Sequence, residues 1–196
     1  MLITKLEYLN IKSKVRVYID YEYAFLLYQN DLRRNKLEEN IELSEILYED
    51  ILQNTVYRRA KQKTIAILKY MDRTEQELRQ KLMLEEYPPT IIDKTIDYIK
   101  GYGYIDDERY ASNYVRFKKE IKSKFQIQNH LYQKGIAKDI INLVMENEYE
   151  SDEVALLKAI KKKTDHPELL DPDKKQKLIA SLCRKGFHYE EIVKHL

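Results

Sequence analysis

The chain has 196 residues, with 35 Lys+Arg against 33 Asp+Glu and a formal net charge of +2. A single cysteine, Cys183, excludes an internal disulfide framework and any site built from several cysteines, and it suits a cytoplasmic, reducing compartment. Neither a bilayer-spanning apolar run nor a signal-peptide pattern is present, so we expect no membrane association. Only 4 Gly and 4 Pro leave few turn signals for many short strands, which favours helices.

The first 54 residues have the pattern of a small β-rich extension. Segments 2–9, 15–19 and 23–27 are rich in β-branched and aromatic residues, which predicts three short strands with a turn at 20–22. Residues 26–35 are a candidate short helix, and Ser44 is a candidate N-cap for a helix that closes the extension. Because a lone hairpin is barely stable, this extension must pack on something. The sequence leaves open whether it touches a partner or packs only on the first repeat.

From residue 55 onward the sequence is helical and repeats with a period of about 50 residues. The second helix of each repeat carries two apolar residues four positions apart, namely Leu78 and Leu82, Ile127 and Leu131, and Leu178 and Leu182. Apolar residues of the third helix recur in the same way. We therefore predict an extension at 1–54 and three-helix repeats at 55–105, 106–151 and 152–196. The expected fold is mainly α, an elongated curved array of these repeats.

Helix caps support this alignment of the repeats. N-cap signals precede the second helix of every repeat: Thr74 with Glu77, Ser123 with Gln126, and Asp171-Pro172. At the other end of that helix, Gly135 and Gly186 stand where a C-cap needs a left-handed backbone. Glu86 has the same position in the first repeat. Since a side chain disfavours that backbone, we expect the first repeat to turn differently.

Charge is unevenly distributed along the chain. Residues 20–54 hold nine acidic and three basic residues, whereas 55–73 hold six basic and one acidic, and 109–138 hold eight basic and one acidic. Such clusters are either solvated helix faces that pair with neighbouring helices or surfaces for an anionic partner. The candidate partner-binding or DNA-binding cations are Arg58, Arg59, Lys61, Lys63, Arg116, Lys118, Lys119, Lys122, Lys124, Lys158, Lys161, Lys162 and Lys163.

The sequence offers little support for catalysis. Its four histidines lack the spacing of metal ligands, and it has neither a phosphate-binding loop nor a nucleophile elbow. We predict that the protein is not an enzyme and that it uses neither a cofactor nor a metal.

The most distinctive motif stands between the first two repeats and comprises Gly103, Tyr104, Ile105, Asp106, Asp107, Tyr110 and Ala111. In local terms it is a helix stop followed by a helix start, with a glycine for the stop and an aspartate for the cap. Together with the segments 74–78 and 131–136, the latter ending in Gly135-Ile136, it resembles the signature of the bacterial RecX regulatory proteins. The β-rich extension is also similar to that of members from Gram-positive bacteria.

The resemblance implies a partner and a function that composition and spacing do not show. RecX proteins bind the RecA recombinase and modulate it, mostly by inhibition, and are thought to lie in the groove of its filament on single-stranded DNA. The resemblance therefore implies a regulator of RecA's recombinase and ATPase activities in DNA repair and recombination. We expect it to be monomeric. The alternative is a helical module that binds single-stranded nucleic acid directly, without recombinase specificity.

Overall fold

The computed structural model describes residues 1–10 and 13–196. It divides into two compact units, Met1–Ile105 (unit 1) and Asp106–Leu196 (unit 2). The chain is mainly α-helical, with one three-stranded sheet near its N-terminus, as predicted. Within the described ranges, no helix combines the length and apolarity needed to span a bilayer.

The sheet is antiparallel, with strands β1 (Ile3–Tyr8), β2 (Lys14–Ile19) and β3 (Glu22–Tyr28) in the order β1-β2-β3. In β2 the alternating pattern buries Val15, Val17 and Ile19 on one face. The outer edge of β1 is paired with segment 39–43, where the Ile3 amide donates to the Ile41 carbonyl at 3.0 Å. The three predicted strands are therefore confirmed, and this edge is closed to further pairing.

The helix α1 (Gln29–Asn35) follows β3 directly and starts later than the predicted segment 26–35, because β3 extends to Tyr28. Ser44 is the N-cap of α2 (Glu45–Asp50), and its hydroxyl accepts a hydrogen bond from the Leu47 amide at 3.3 Å. A π-helical segment (Ile51–Tyr57) and α3 (Arg58–Leu68) continue from α2 without interruption. The helix expected to close the extension is thus also the first helix of the first repeat.

Unit 1 has one hydrophobic core that the sheet and the helices share. It includes Phe25 and Val17 of the sheet, Ile51 of the π-helical segment, and residues of α4 (Glu75–Leu84) and α5 (Pro89–Gly101). Leu82 of α4 and Ile96 of α5 are fully buried in it. The β-rich extension therefore packs on the helices of unit 1, a contact that the sequence had left open.

Unit 2 contains six α-helices in two groups of three. The first group is α6 (Asp107–Lys118), α7 (Lys124–Gln133) and α8 (Lys138–Glu148). The second is α9 (Glu153–Lys161), α10 (Pro172–Arg184) and α11 (Tyr189–Lys194), with a 3₁₀ turn (Pro167–Leu169) before α10. Each group has its own core, one around Ile127 and Leu131 and the other around Leu156 and Leu182. The limits expected between extension and repeats, at residues 54, 105 and 151, stay predictions.

The N-caps of the second helices are confirmed in all three repeats, at Thr74, Ser123 and Asp171. The expectation for Glu86 is wrong. It adopts a left-handed backbone with φ +62°, as Gly135 does with +77° and Gly186 with +86°. In each repeat the following amide then donates to the carbonyl five residues back, for example Tyr87 to Leu82 at 3.2 Å. A contact described below explains how a glutamate is held in this conformation.

Candidate partner-binding surfaces

Glu86 is held by the β-sheet of unit 1. Arg16 of β2 donates from Nε and Nη2 to the two carboxylate oxygens of Glu86, at 2.7 and 2.6 Å. The Tyr23 hydroxyl of β3 donates to the Glu86 carbonyl at 2.5 Å. The hydrogen bonds from Arg16 lower the pKa of Glu86, so this carboxylate stays ionised and paired. A bidentate ion pair and a hydrogen bond to the Glu86 carbonyl thus hold the end of α4 against the sheet.

In unit 1, two of the predicted partner-binding cations form intramolecular ion pairs. Arg59 donates to the buried Asp31 carboxylate at 2.5 and 2.8 Å, and its guanidinium lies 4.7 Å from the centre of the Tyr28 ring. Lys63 Nζ lies 2.7 Å from a carboxylate oxygen of Glu85. These contacts give both cations a structural role. Arg58 is exposed and pairs with no carboxylate among residues 1–10 and 13–196.

Glu85 is the centre of a small charged network. Hydrogen bonds from Lys63 and from Lys14 of β2 lower the pKa of Glu85 to about 2. The Lys14 ammonium lies 3.0 Å from the second carboxylate oxygen. Lys63 is therefore part of the contact between α3, the end of α4 and the sheet.

In unit 2, the cations near the end of α6 are also engaged. Arg116 forms a bidentate pair with Glu148 of α8, which together with Ser112 lowers the pKa of Glu148 to about 2. Lys119 Nζ donates to the Glu148 carbonyl at 3.2 Å. Lys122 donates to the Tyr114 hydroxyl at 2.8 Å. These contacts stabilise the packing of α6 within its three-helix group.

Lys158 of α9 pairs with Glu120, which follows α6, at 2.6 Å. This pair brings the predicted cations of the second and third repeats into one region of unit 2. The three-helix groups also meet through Lys124, whose backbone amide donates to the buried Asp152 carboxylate at 2.7 Å, and through Ser123, whose hydroxyl donates to the Lys185 carbonyl.

The remaining predicted cations in unit 2 form no ion pair with any residue that the structure describes. Lys161, Lys162 and Lys163 are consecutive, exposed and located at the C-terminal end of α9; we call them the α9 lysine cluster. The side chain of Lys124 is exposed and that of Lys118 is half-buried. Their ammonium groups are consequently accessible to an anionic partner, unlike those of Lys63 and Lys158.

The signature residues form a helix end and a helix start. Gly103 has φ +67°, and the Asp106 carboxylate accepts a hydrogen bond from the Arg109 amide at 2.9 Å as the N-cap of α6. Ile105 and Ala111 are buried. Tyr104, by contrast, is half exposed, so packing within unit 1 does not account for the whole of this side chain.

One surface was missed by the sequence reasoning. Tyr98 of α5 and Tyr102, which follows the last residue of α5, have ring centres 4.7 Å apart, and the Tyr104 ring centre lies 6.2 Å from that of Tyr102. Lys61, predicted as a partner-binding cation, lies between the Tyr57 and Tyr98 rings, at 4.4 and 4.6 Å from their centres. The spacing of Tyr98 and Tyr102, one helical turn apart, was the available sequence signal.

Among the described residues, no group of three or more His, Cys, Asp or Glu side chains could hold a metal ion. His130 stacks on Tyr114 with ring centres 4.2 Å apart, and Cys183 is exposed.

These features define a class: a protein of tandem three-helix domains preceded by a small sheet. Family models for the first, second and third three-helix domains of RecX match residues 60–98, 106–145 and 149–196. The regulatory protein RecX of Clostridium acetobutylicum is 31% identical over 193 residues, covering 92% of this chain and 87% of the relative. That of Caldanaerobacter subterraneus is 32% identical over 200 residues, covering 100% and 98%. The chain belongs to the RecX family.

Two solved structures agree with this assignment. A crystal structure titled as the regulatory protein RecX superposes with a TM-score of 0.63 at 26% identity, covering 97% of this chain and 96% of the other. The crystal structure of RecX from Lactobacillus salivarius gives 0.59 at 25% identity, covering 70% and 92%. The family resemblance and the mainly helical fold with three three-helix domains are thus confirmed.

Proposed function

We propose that this protein binds the RecA recombinase filament on single-stranded DNA and inhibits its recombinase and ATPase activities. The observation that carries the proposal is the match of all three RecX domains, in order, between residues 60 and 196. Relatives that cover most of the chain are named regulatory proteins, which fits a protein that acts on another enzyme and is not one itself. We place its action in the cytoplasm, as a monomer.

The charges narrow the surface that would face the filament. Carboxylates of this chain already neutralise Arg59, Lys63, Arg116 and Lys158, so these cations have less to offer a phosphate. Lys61, Lys119 and Lys122 are also engaged, with tyrosine side chains or a backbone carbonyl. We assign partner contacts to the predicted cations that have no partner of either kind, namely Arg58, Lys118, Lys124, Lys161, Lys162 and Lys163. The α9 lysine cluster supplies three of these charges at consecutive, exposed positions.

Binding of fluorescently labelled protein to single-stranded DNA tests the proposal directly. The strand is offered bare and coated with RecA plus a slowly hydrolysed ATP analogue, at moderate salt. We expect tight binding only to the coated strand, together with a lower rate of ATP hydrolysis by RecA when ATP is supplied. Equal or tighter binding to the bare strand would favour the direct nucleic-acid-binding module instead.

Replacement of Lys161, Lys162 and Lys163 by alanine tests the assigned surface. If each lysine neutralises a phosphate, the variant should bind the DNA-containing filament more weakly. The slope of the logarithm of the binding constant against the logarithm of the salt concentration should also become shallower by roughly 2. A matched control replaces Lys138, Arg184 and Lys194, which are exposed cations of unit 2 outside the α9 lysine cluster and remove the same charge. Equal losses in the two triple variants would show that net charge, and not this surface, governs binding.

A further inference from the structure

Four tyrosines and one lysine of unit 1 form a continuous aromatic surface. The order is Tyr57, Lys61, Tyr98, Tyr102 and Tyr104, which we call the tyrosine row. Neighbouring ring centres from Tyr98 onward are 4.7 and 6.2 Å apart, and the last two rings are close to parallel, with planes 27° apart. Tyr102 is 66% and Tyr104 50% exposed, whereas Tyr57 and Tyr98 are half-buried. The first rings of the row are therefore partly buried in unit 1, whereas the last two are exposed to solvent.

The row is held in place before any partner arrives. Tyr57 and Lys61 belong to one continuous helix, whereas Tyr98 belongs to α5 and Tyr102 is the C-cap of α5. Lys61 is attracted to the ring faces of both Tyr57 and Tyr98. A second lysine, Lys94, also contacts this group, with its Nζ atom 4.8 Å from the Tyr57 ring centre. Tyrosine side chains have only two rotatable angles, so ordering them on binding costs little entropy. Such a surface is preorganised for a flat ligand.

We propose that the tyrosine row binds unpaired bases of a single DNA strand, which stack on the exposed rings of Tyr102 and Tyr104. Every base has a π-face, so stacking tolerates any sequence, and cations beside the rings attract the adjoining phosphates. Lys61 and Lys94 supply that charge here. Asp97 precedes Tyr98 on α5, and its negative charge partly offsets the positive charges of Lys61 and Lys94. We therefore expect the rings to supply most of the binding energy.

This inference rests on the proposed function only in placing the strand inside the recombinase filament. The contact with bases is a property of unit 1 and is measured on DNA alone. Oligothymidylate is the probe, and a strand of equal length that lacks its bases tests whether stacking or phosphate contact is involved.

The natural chain has no tryptophan, so a single one reports on its own surroundings. Tyr102→Trp places the reporter in the row, and Tyr70→Trp places a control in unit 1 outside it, at a residue that is 91% exposed. At low salt we expect oligothymidylate to quench the emission of the Tyr102→Trp variant but not that of the Tyr70→Trp variant. The strand without bases should quench neither.

Alanine variants supply a second readout. Tyr102→Ala and Tyr104→Ala should each weaken binding of oligothymidylate by about tenfold, the loss expected for one stacked base. Tyr70→Ala should bind as the natural chain does. Since these side chains are largely exposed, unfolding temperatures should stay close to that of the natural chain.

Unchanged emission of the Tyr102→Trp variant over the full titration, or equal quenching by the strand without bases, would overturn the inference. So would quenching by a proline-rich peptide with none by DNA, since aromatic surfaces also bind such peptides. The proposed function has a separate readout. Quenching of the Tyr102→Trp variant without preference for RecA-coated DNA would remove recombinase recognition and leave the base contact. Inhibition of RecA by the natural chain, with no quenching of the Tyr102→Trp variant by oligothymidylate, would remove the base contact and leave recombinase recognition.

Discussion

The end of α4 in unit 1 and the end of α10 in unit 2 have the same left-handed turn but use different residues to make it. In unit 2 the residue is Gly186, and a Cβ atom there would lie 2.4 Å from the Phe125 Cβ, so space excludes any side chain. In unit 1 it is Glu86, whose carboxylate is bound by Arg16 of the sheet. At Glu86 a tertiary contact compensates for the backbone strain that a side chain introduces at this position.

Both units pair some of the predicted cations with carboxylates, but most of the predicted cations without such a pair are in unit 2. The sheet supplies the charged partners Arg16 and Lys14 for the α4 end, and Asp31 after the sheet pairs with Arg59. In unit 2 the α9 lysine cluster has no ion pair with any described residue. Neighbouring carboxylates therefore give a structural role to Arg59 and Lys63 in unit 1 and to Arg116 and Lys158 in unit 2. The lysines of the α9 cluster have no such neighbour and stay accessible.

Gly186→Ala should have the largest effect on stability. The substitution combines a left-handed backbone with a contact too close for Phe125, and we expect the free energy of unfolding to fall by about 2–4 kcal/mol. Gly103→Ala is the control, because Gly103 also has a left-handed backbone, with φ +67°, but no atom lies within 4 Å of its added Cβ. Urea denaturation followed by circular dichroism measures both. Equal effects would mean that the close approach of Phe125 does not constrain this turn.

Arg59→Met should have the second largest effect on stability. It leaves the Asp31 carboxylate buried without its cation, which we expect to lower the free energy of unfolding by about 2–3 kcal/mol. Arg58→Met, at the neighbouring exposed position, should leave stability nearly unchanged. Comparison of the two variants by thermal denaturation checks the structural role assigned to Arg59. A stable Arg59→Met variant with weaker binding to the filament would return this residue to the candidate interface.

Glu86→Gly should have a smaller effect that depends on Arg16. In an Arg16→Gln background the glycine removes strain without losing an ion pair, and we expect stabilisation of roughly 0.5–1 kcal/mol. In the natural background the gain should shrink or change sign, because the contact with Arg16 is lost. A double-mutant cycle by urea denaturation measures this difference. Equal gains in both backgrounds would show that Arg16 does not hold Glu86.

The acid stability of unit 1 should show the smallest effect. Because Lys63 and Lys14 lower the pKa of Glu85 from 4.5 to about 2, the ionised carboxylate stabilises the folded state above about pH 4.5. That contribution is lost as the pH falls from 4.5 towards 2. Since solvent screens the network, it amounts to less than about 1 kcal/mol. Glu85→Gln should reduce the acid-dependent loss, measured by urea denaturation across this range, whereas Glu38→Gln at an exposed site should not.

Local patterns in the sequence were enough for the outline of the fold. Apolar spacing predicted the strands and the repeating helices, and Ser44, Thr74 and Ser123 marked helix starts, because caps and amphipathic faces depend on residues close in the chain. The signature at 103–111 pointed to the family that the comparisons confirm.

The sequence alone also listed the candidate cations and identified the family, but the partners of those cations were decided by tertiary structure. Arg16 and Glu86 are 70 residues apart, and Arg59 and Asp31 are 28 apart, so no local rule connects them. The left-handed backbone of Glu86, the pairing of Arg59 and the tyrosine row all depend on which elements pack together. Apolar periodicity reveals which face of a helix is buried, but only the packed structure determines which charged or aromatic groups meet across that face.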